Sequence, residues 1–196
     1  MLVFALGLGA LFLSFSLGAL LGLAAVLLFY LITRVSTQRL KKSLIAIIFL
    51  GIFLSLALMV YSRGYLRADN LPEDIHNRLV LARAAGELFS SSPVGGGGLN
   101  NFIVRLPEIK LVTGVSWWLQ PVHNIFLLVL AETGIFGLLL FTFLLTKAGA
   151  ASAKKRKVLF GLALIFMVVT GLVDHYWLTL QQNQLLASLV LGLSLR

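Results

Sequence analysis

The chain has 196 residues, 59% of them hydrophobic and only 12% charged, with a net charge of +9. Such a composition excludes an ordinary water-soluble domain, and the absence of cysteine excludes disulfides and thiolate metal sites. A bilayer is the solvent it suits.

Apolar runs near 2–33, 43–61, 125–146, 158–172 and 185–195 alternate with polar or basic segments. A helix needs about 20 apolar residues to cross a bilayer. The expected fold class is therefore all-α: a polytopic transmembrane helix bundle of about five spans plus a partial first one. The first run is too long for one ordinary span, and Ser14 and Ser16 divide it. A secretory signal would carry a basic segment ahead of the apolar stretch and a small-residue cleavage site behind it, and Met1 to Thr33 has neither. A chain that opens inside a hydrophobic helix reads as the later part of a longer protein.

The distribution of charge orients these helices. Segments 34–42 and 147–157 hold nine cations and no acid, whereas 62–122 holds six cations and five acids. Short basic loops stay on the cytoplasmic side. Residues 1–61 then form transmembrane helices with a cytoplasmic loop at 34–42, residues 62–122 one large outer loop, and residues 123–196 further helices with a cytoplasmic loop at 147–157. The fourth span is expected to run outward from Val158 to about Trp177. Tyr61, Tyr65, Trp117, Trp118, Tyr176 and Trp177 gather toward the outer boundary, where amphipathic rings anchor. Because the basic residues serve topology, no nucleic-acid partner is expected.

Within the outer loop, residues 68–93 carry helix punctuation. Asn70 is a cap with Glu73 as its capping-box partner, and Pro72 suits the first turn. Leu81, Ala85, Leu88 and Phe89 recur at helical spacing, predicting an amphipathic helix that lies on the membrane surface or on the bundle. Asp74 with Arg78, and Arg83 with Glu87, have the i,i+4 spacing of surface ion pairs. Four consecutive glycines, Gly95 to Gly98, then fit either a flexible linker or a structured binding turn. No Lys-Ser/Thr follows them, so they do not form a nucleotide-binding P-loop.

Three blocks in this order resemble the O-antigen ligase and O-antigen polymerase family of bacterial membrane glycosyltransferases. In 77–102, Arg78, Pro93, Gly96, Gly98, Asn101 and Phe102 are similar to the family's outer-loop pattern. In 123–141, the pair His123-Asn124 opening an apolar helix, followed by Glu132-x-Gly134, resembles its most characteristic element. A looser likeness in 14–28 departs from the family pattern at Leu17, where an arginine is common. The likeness is to the carboxyl-terminal half of such enzymes.

This resemblance implies transfer or polymerisation of a glycan from an undecaprenyl-diphosphate carrier onto an acceptor glycan or glycolipid, in cell-surface polysaccharide biosynthesis. The implied location is a multi-pass protein of the bacterial cytoplasmic membrane, active at its outer face, with no cofactor and no metal. The leaving diphosphate needs fixed positive charge, the acceptor hydroxyl a base, and the lipid tail an apolar groove. Arg63, Arg67, Arg78, Arg83 and Arg105 are all on the outer side, and only Arg78 matches the family position. The implied assignments are His123 as catalytic base, and Arg78, Asn124, Gly96, Gly98 and Asn101 as substrate-binding residues, with Arg83 a further candidate. Pro121 suits a helix start, placing His123 in the first turn, where the positive helix end favours the neutral imidazole.

Glu132 falls inside the third span, where a carboxyl group is costly. Nine residues at about 100° each set it on the helix face opposite His123. It is expected to orient the bundle, paired with an arginine from another segment. Asp174 and His175 near the outer end of the fourth span are supporting candidates for an acceptor-sugar entrance, together with Gln181, Gln182, Asn183 and Gln184. His76 reads as a solvated surface histidine, and the three histidines lie too far apart in sequence to suggest a metal cluster. A non-catalytic membrane assembly partner is the alternative function. A secondary transporter would show internal repeats, and none is evident.

Overall fold

A computed structural model describes residues 7, 9–11, 13, 16–34, 71–109, 119–154 and 157–196. All regular structure among them is helical, as the composition requires. The run 43–61, most of the basic segment 34–42, Tyr61, Arg63, Tyr65, Arg67, Asn70, Trp117, Trp118, and the side chains of Leu17, Glu73 and Asp74 lie outside the described residues.

Helix α1 spans Leu17–Arg34. The Ser16 hydroxyl accepts the Ala19 amide at 3.3 Å, satisfying one of the donors that a helix start leaves open. Its glycines permit close packing: a Cβ at Gly22 would come within 2.6 Å of the Thr170 methyl on a later helix. Small residues serve this purpose where helices meet in a membrane.

Helix α2, Leu71–Ser91, begins where the Asn70 cap signal predicts. The expected stripe settles on the bundle. Leu81, Ala84, Ala85 and Leu88 are buried against Phe102, Leu106, Val122, Leu128 and Ala131. Truncating Leu88 to Ala there would cost about 2–5 kcal/mol. Arg83 and Glu87 are both exposed and form no ion pair with each other, because long side chains in water lose more rotamer freedom than an exposed pair returns. A short helix α3, Phe102–Arg105, and a 3-10 turn, Leu106–Glu108, follow α2.

Helix α4, Ile125–Lys154, is interrupted at Gly134, whose φ of 66° and ψ of −167° leave the helical region. Residues 125–133 form a half-helix, and 135–154 continue for about 30 Å at 1.5 Å per residue. Among the described residues α4 is the one helix long and apolar enough to cross a membrane, while Gly18–Thr33 and Val158–Gly171 are apolar but shorter.

Helix α5, Val158–Gly171, stops about two turns short of the expected Trp177. The chain turns because the Asp174 carboxylate accepts the His175 amide at 2.8 Å, while side chains from other segments take the carbonyls of Leu172 and Val173. Then follow α6, Tyr176–Thr179, and α7, Gln181–Leu195. Tyr176 is exposed. Trp177 instead turns inward, its indole N–H donating to the Thr170 hydroxyl at 2.7 Å.

Candidate active site

Two features at the His123 end of α4 position the candidate side chains, and both depend on breaks in helices. The first lies at Gly134. An α-helix interrupted in its middle leaves amides and carbonyls without helical partners, and burial makes each unmade bond costly. The glycine-rich turn satisfies them. Gly97 N–H donates to Ala131 O at 2.8 Å, Gly98 N–H to Glu132 O at 2.9 Å, and Ile135 N–H to Pro93 O at 2.9 Å.

Such close approach explains the residue types. Gly96 (φ 71°) and Gly134 (φ 66°) hold positive φ, and any side chain at Gly96 would strike the backbone of Glu132 and Thr133. The glycine stretch is thus a structured turn docked into α4. Glu132, 9% exposed, pairs with no arginine among the described residues. Its Oε1 accepts the amide of Phe102 at 3.2 Å, because that amide opens α3 and has no helical acceptor. Asn101 is exposed, with its amide nitrogen 3.4 Å from Gly97 O. The two family blocks of the sequence are therefore one bonded unit.

The second feature is the turn 172–175. Helix α4 begins at Ile125, four residues after Pro121, because Asn124 is the better cap: its Oδ1 accepts the amides of Phe126 and Leu127 at 2.9 and 3.0 Å. His123 consequently precedes the helix instead of sitting in its first turn. Asn124 also donates through Nδ2 to Leu172 O at 3.0 Å, and Arg78 donates through Nη1 to Val173 O at 2.9 Å. Helices α2, α4 and α5 are thereby tied to two adjacent carbonyls.

Around that tie, the residues spread along the sequence converge. The rings of His123 and His175 stand edge to face with centroids 5.2 Å apart, and ligating atoms of His123, Asp174 and His175 all lie within 4.8 Å of one another. His175 Nδ1 is 2.7 Å from the Thr179 hydroxyl, and its Nε2 is 4.0 Å from Asp174 Oδ1. Burial holds the His175 imidazole below its ordinary value of 6.5; Asp174 opposes this, and His123 and Arg78 reinforce it. Two imidazoles and a carboxylate are a possible donor set for a divalent cation. The Arg78 guanidinium, close enough to bear on His175, disfavours a second positive charge and suits an anion.

Other candidates lie apart from this group. Arg83 and His76 are exposed on α2, and Arg105 pairs with Glu108 at 3.2 Å. The Glu132 carboxyl is bonded to the start of α3. An apolar cavity of about 530 Å³ between α1, α4 and α5 closes on Ser152 and Lys157, at the opposite end of α4 from His123.

A family model described as O-antigen ligase matches residues 2–142, well over half of the chain. The chain belongs to the O-antigen ligase family. Neither a curated protein nor a solved structure matches it. O-antigen ligase family members are bacterial membrane proteins of polysaccharide biosynthesis, which agrees with the apolar helices. The family match ends before Asp174 and His175, the residues that complete the cluster around His123. Their only signal in the sequence was a charged and aromatic-rich segment at the end of an apolar run.

Proposed function

We propose that this O-antigen ligase family member is a membrane glycosyltransferase that transfers or polymerises a glycan from an undecaprenyl-diphosphate carrier at the outer face of the bacterial cytoplasmic membrane. The observation that carries the reading is the convergence of Arg78, His123 and His175 on one turn. A base, a second neutral imidazole and a fixed guanidinium are what a sugar transfer of this kind demands.

In this reading His123 accepts the proton of the acceptor hydroxyl as its oxygen attacks the anomeric carbon of the donor sugar. The bond from that carbon to the diphosphate oxygen breaks, and the electron pair leaves on the diphosphate. The free guanidinium donors of Arg78 hold that charge in fork geometry, while its Nη1 stays anchored on Val173 O. Asn124 acts by fixing the half-helix whose positive end favours an anion nearby. Gly96, Gly98 and Asn101 act on substrate through the docked turn that they shape.

The test is transfer in liposomes, with a polyprenyl-diphosphate-linked glycan as donor and a glycolipid acceptor. The chain is assayed alone and joined to its upstream coding sequence. Elongated or ligated product is expected. Absence of product from both preparations, each correctly inserted, would sink the reading. Movement of the lipid-linked glycan without bond formation would indicate a transporter.

A further inference from the structure

A second cavity, of about 320 Å³, lies along the half-helix 125–133, bounded by Ile125 at one end and by Glu132 and Thr133 at the break. Its walls are apolar and aromatic, with Phe141 and Trp177 among them. The Trp177 indole is fixed by its bond to Thr170. Polar residues line it from three segments: Glu132, Asn100, Gln184 and Ser188.

These groups are only partly used within the chain. Glu132 spends Oε1 on the Phe102 amide, leaving Oε2 for a ligand, although the residue is only 9% exposed. Gln184 donates to Leu178 O through its nitrogen, leaving its oxygen. Asn100 has φ 57°, a left-handed conformation that asparagine adopts more readily than most residues with a side chain and that glycine would keep.

We infer that this cavity is a carbohydrate subsite that holds a non-reacting pyranose ring of the glycan. A planar indole suits the C–H face of a sugar, and a carboxyl, two amides and a hydroxyl suit its hydroxyl groups. An isoprenoid chain of the carrier would fill the same volume but strand Glu132 Oε2 in an apolar setting, which costs the full desolvation of that group. The assignment rests on the transferase reading for the source of the sugar, which is either the acceptor or the donor glycan.

Binding tests it without relying on transfer. Trp177 is the sole indole in a W117F/W118F background, since the chain has three tryptophans. The full chain in lipid nanodiscs, free of sugar-based detergent, is titrated with two oligosaccharide probes. One is released by mild acid from the host's polyprenyl-linked glycan, and the other is the delipidated acceptor core. A saturable change in Trp177 emission with either probe is expected, and the responding probe identifies the source.

Asn100→Gly and Ser188→Ala, both at exposed positions, should each weaken that probe about three- to tenfold with an unchanged melting temperature. His123→Ala should keep the response. A wild-type protein that binds the sugar but transfers nothing would defeat the transferase reading and leave the subsite standing. No saturable response to either sugar, or a response to farnesyl diphosphate alone, would overturn the subsite whatever the transfer assay gives.

Discussion

The His123 ring meets that of His175 edge to face, with centroids 5.2 Å apart, although the two lie 52 positions apart in the sequence. An imidazole that is to take a proton gains from a neutral neighbour, because a charged one would oppose protonation. His123→Ala should therefore lower transfer by about two to four orders of magnitude while donor binding persists. Near-normal turnover of that variant would remove His123 from the mechanism, and equal loss of donor binding would make it a positioning residue.

Acidification should act through His175. The unfolded chain takes up its proton near 6.5, and the folded chain only at lower pH, because burial disfavours the charged ring. Between those values the unfolded state holds more protons, so stability rises with pH. The contribution is fully present above 6.5 and is lost as pH falls through the folded value. Thermal unfolding in nanodiscs from pH 7 to pH 5 should show a steeper fall for the wild type than for His175→Gln. Parallel curves would assign the acid sensitivity to other groups.

Arg78 carries a structural bond and free donors at once, and two substitutions separate these roles. Arg78→Lys keeps the charge and can still reach Val173 O, but loses the planar fork. Its melting temperature should stay close to that of the wild type while activity falls at least about tenfold. Arg78→Ala should lose both. A fully active alanine variant would leave Arg78 only the tie to the 172–175 turn.

Gly134→Ala should destabilise the docking of the glycine turn on α4. The new Cβ meets the backbone of Val94 and Gly95, and φ 66° with ψ −167° is a region essentially confined to glycine, costing about 1–3 kcal/mol for a residue with a side chain. Together with the overpacking, a loss of at least about 2 kcal/mol is expected in a denaturation series. Undocking of the glycine turn should also make 93–98 a site of rapid proteolysis. Wild-type stability would mean that the break in α4 does not depend on this glycine.

Topology is testable with single cysteines at Val94 and Lys154, both exposed and at opposite ends of the longer half of α4. A membrane-impermeant thiol reagent outside intact cells should label the first and spare the second. The reverse pattern would put the His123 cluster on the cytoplasmic side and end the proposal of outward-facing transfer.

The sequence by itself determined the all-helical class, the extent of α2, the buried stripe of Leu81, Ala85 and Leu88, and the family. Each of these is written in local periodicity, capping residues or motif order. Helix continuity was not legible. The run 125–146 reads as one span because its residues are uniformly apolar, and nothing local announces that amides of the glycine turn will substitute for helical donors at Ala131 and Glu132. For the same reason the early end of α5 was not legible, since distant side chains take the carbonyls of Leu172 and Val173, whereas the start of α4 at Ile125 is set locally by the Asn124 cap. Only the tertiary structure decided that Glu132 binds the start of α3 and not an arginine, and that Asp174 and His175 stand beside His123. A backbone group or ring has no knowledge of its partner until the chain has folded, so contacts made across the bundle leave no periodic trace in the sequence.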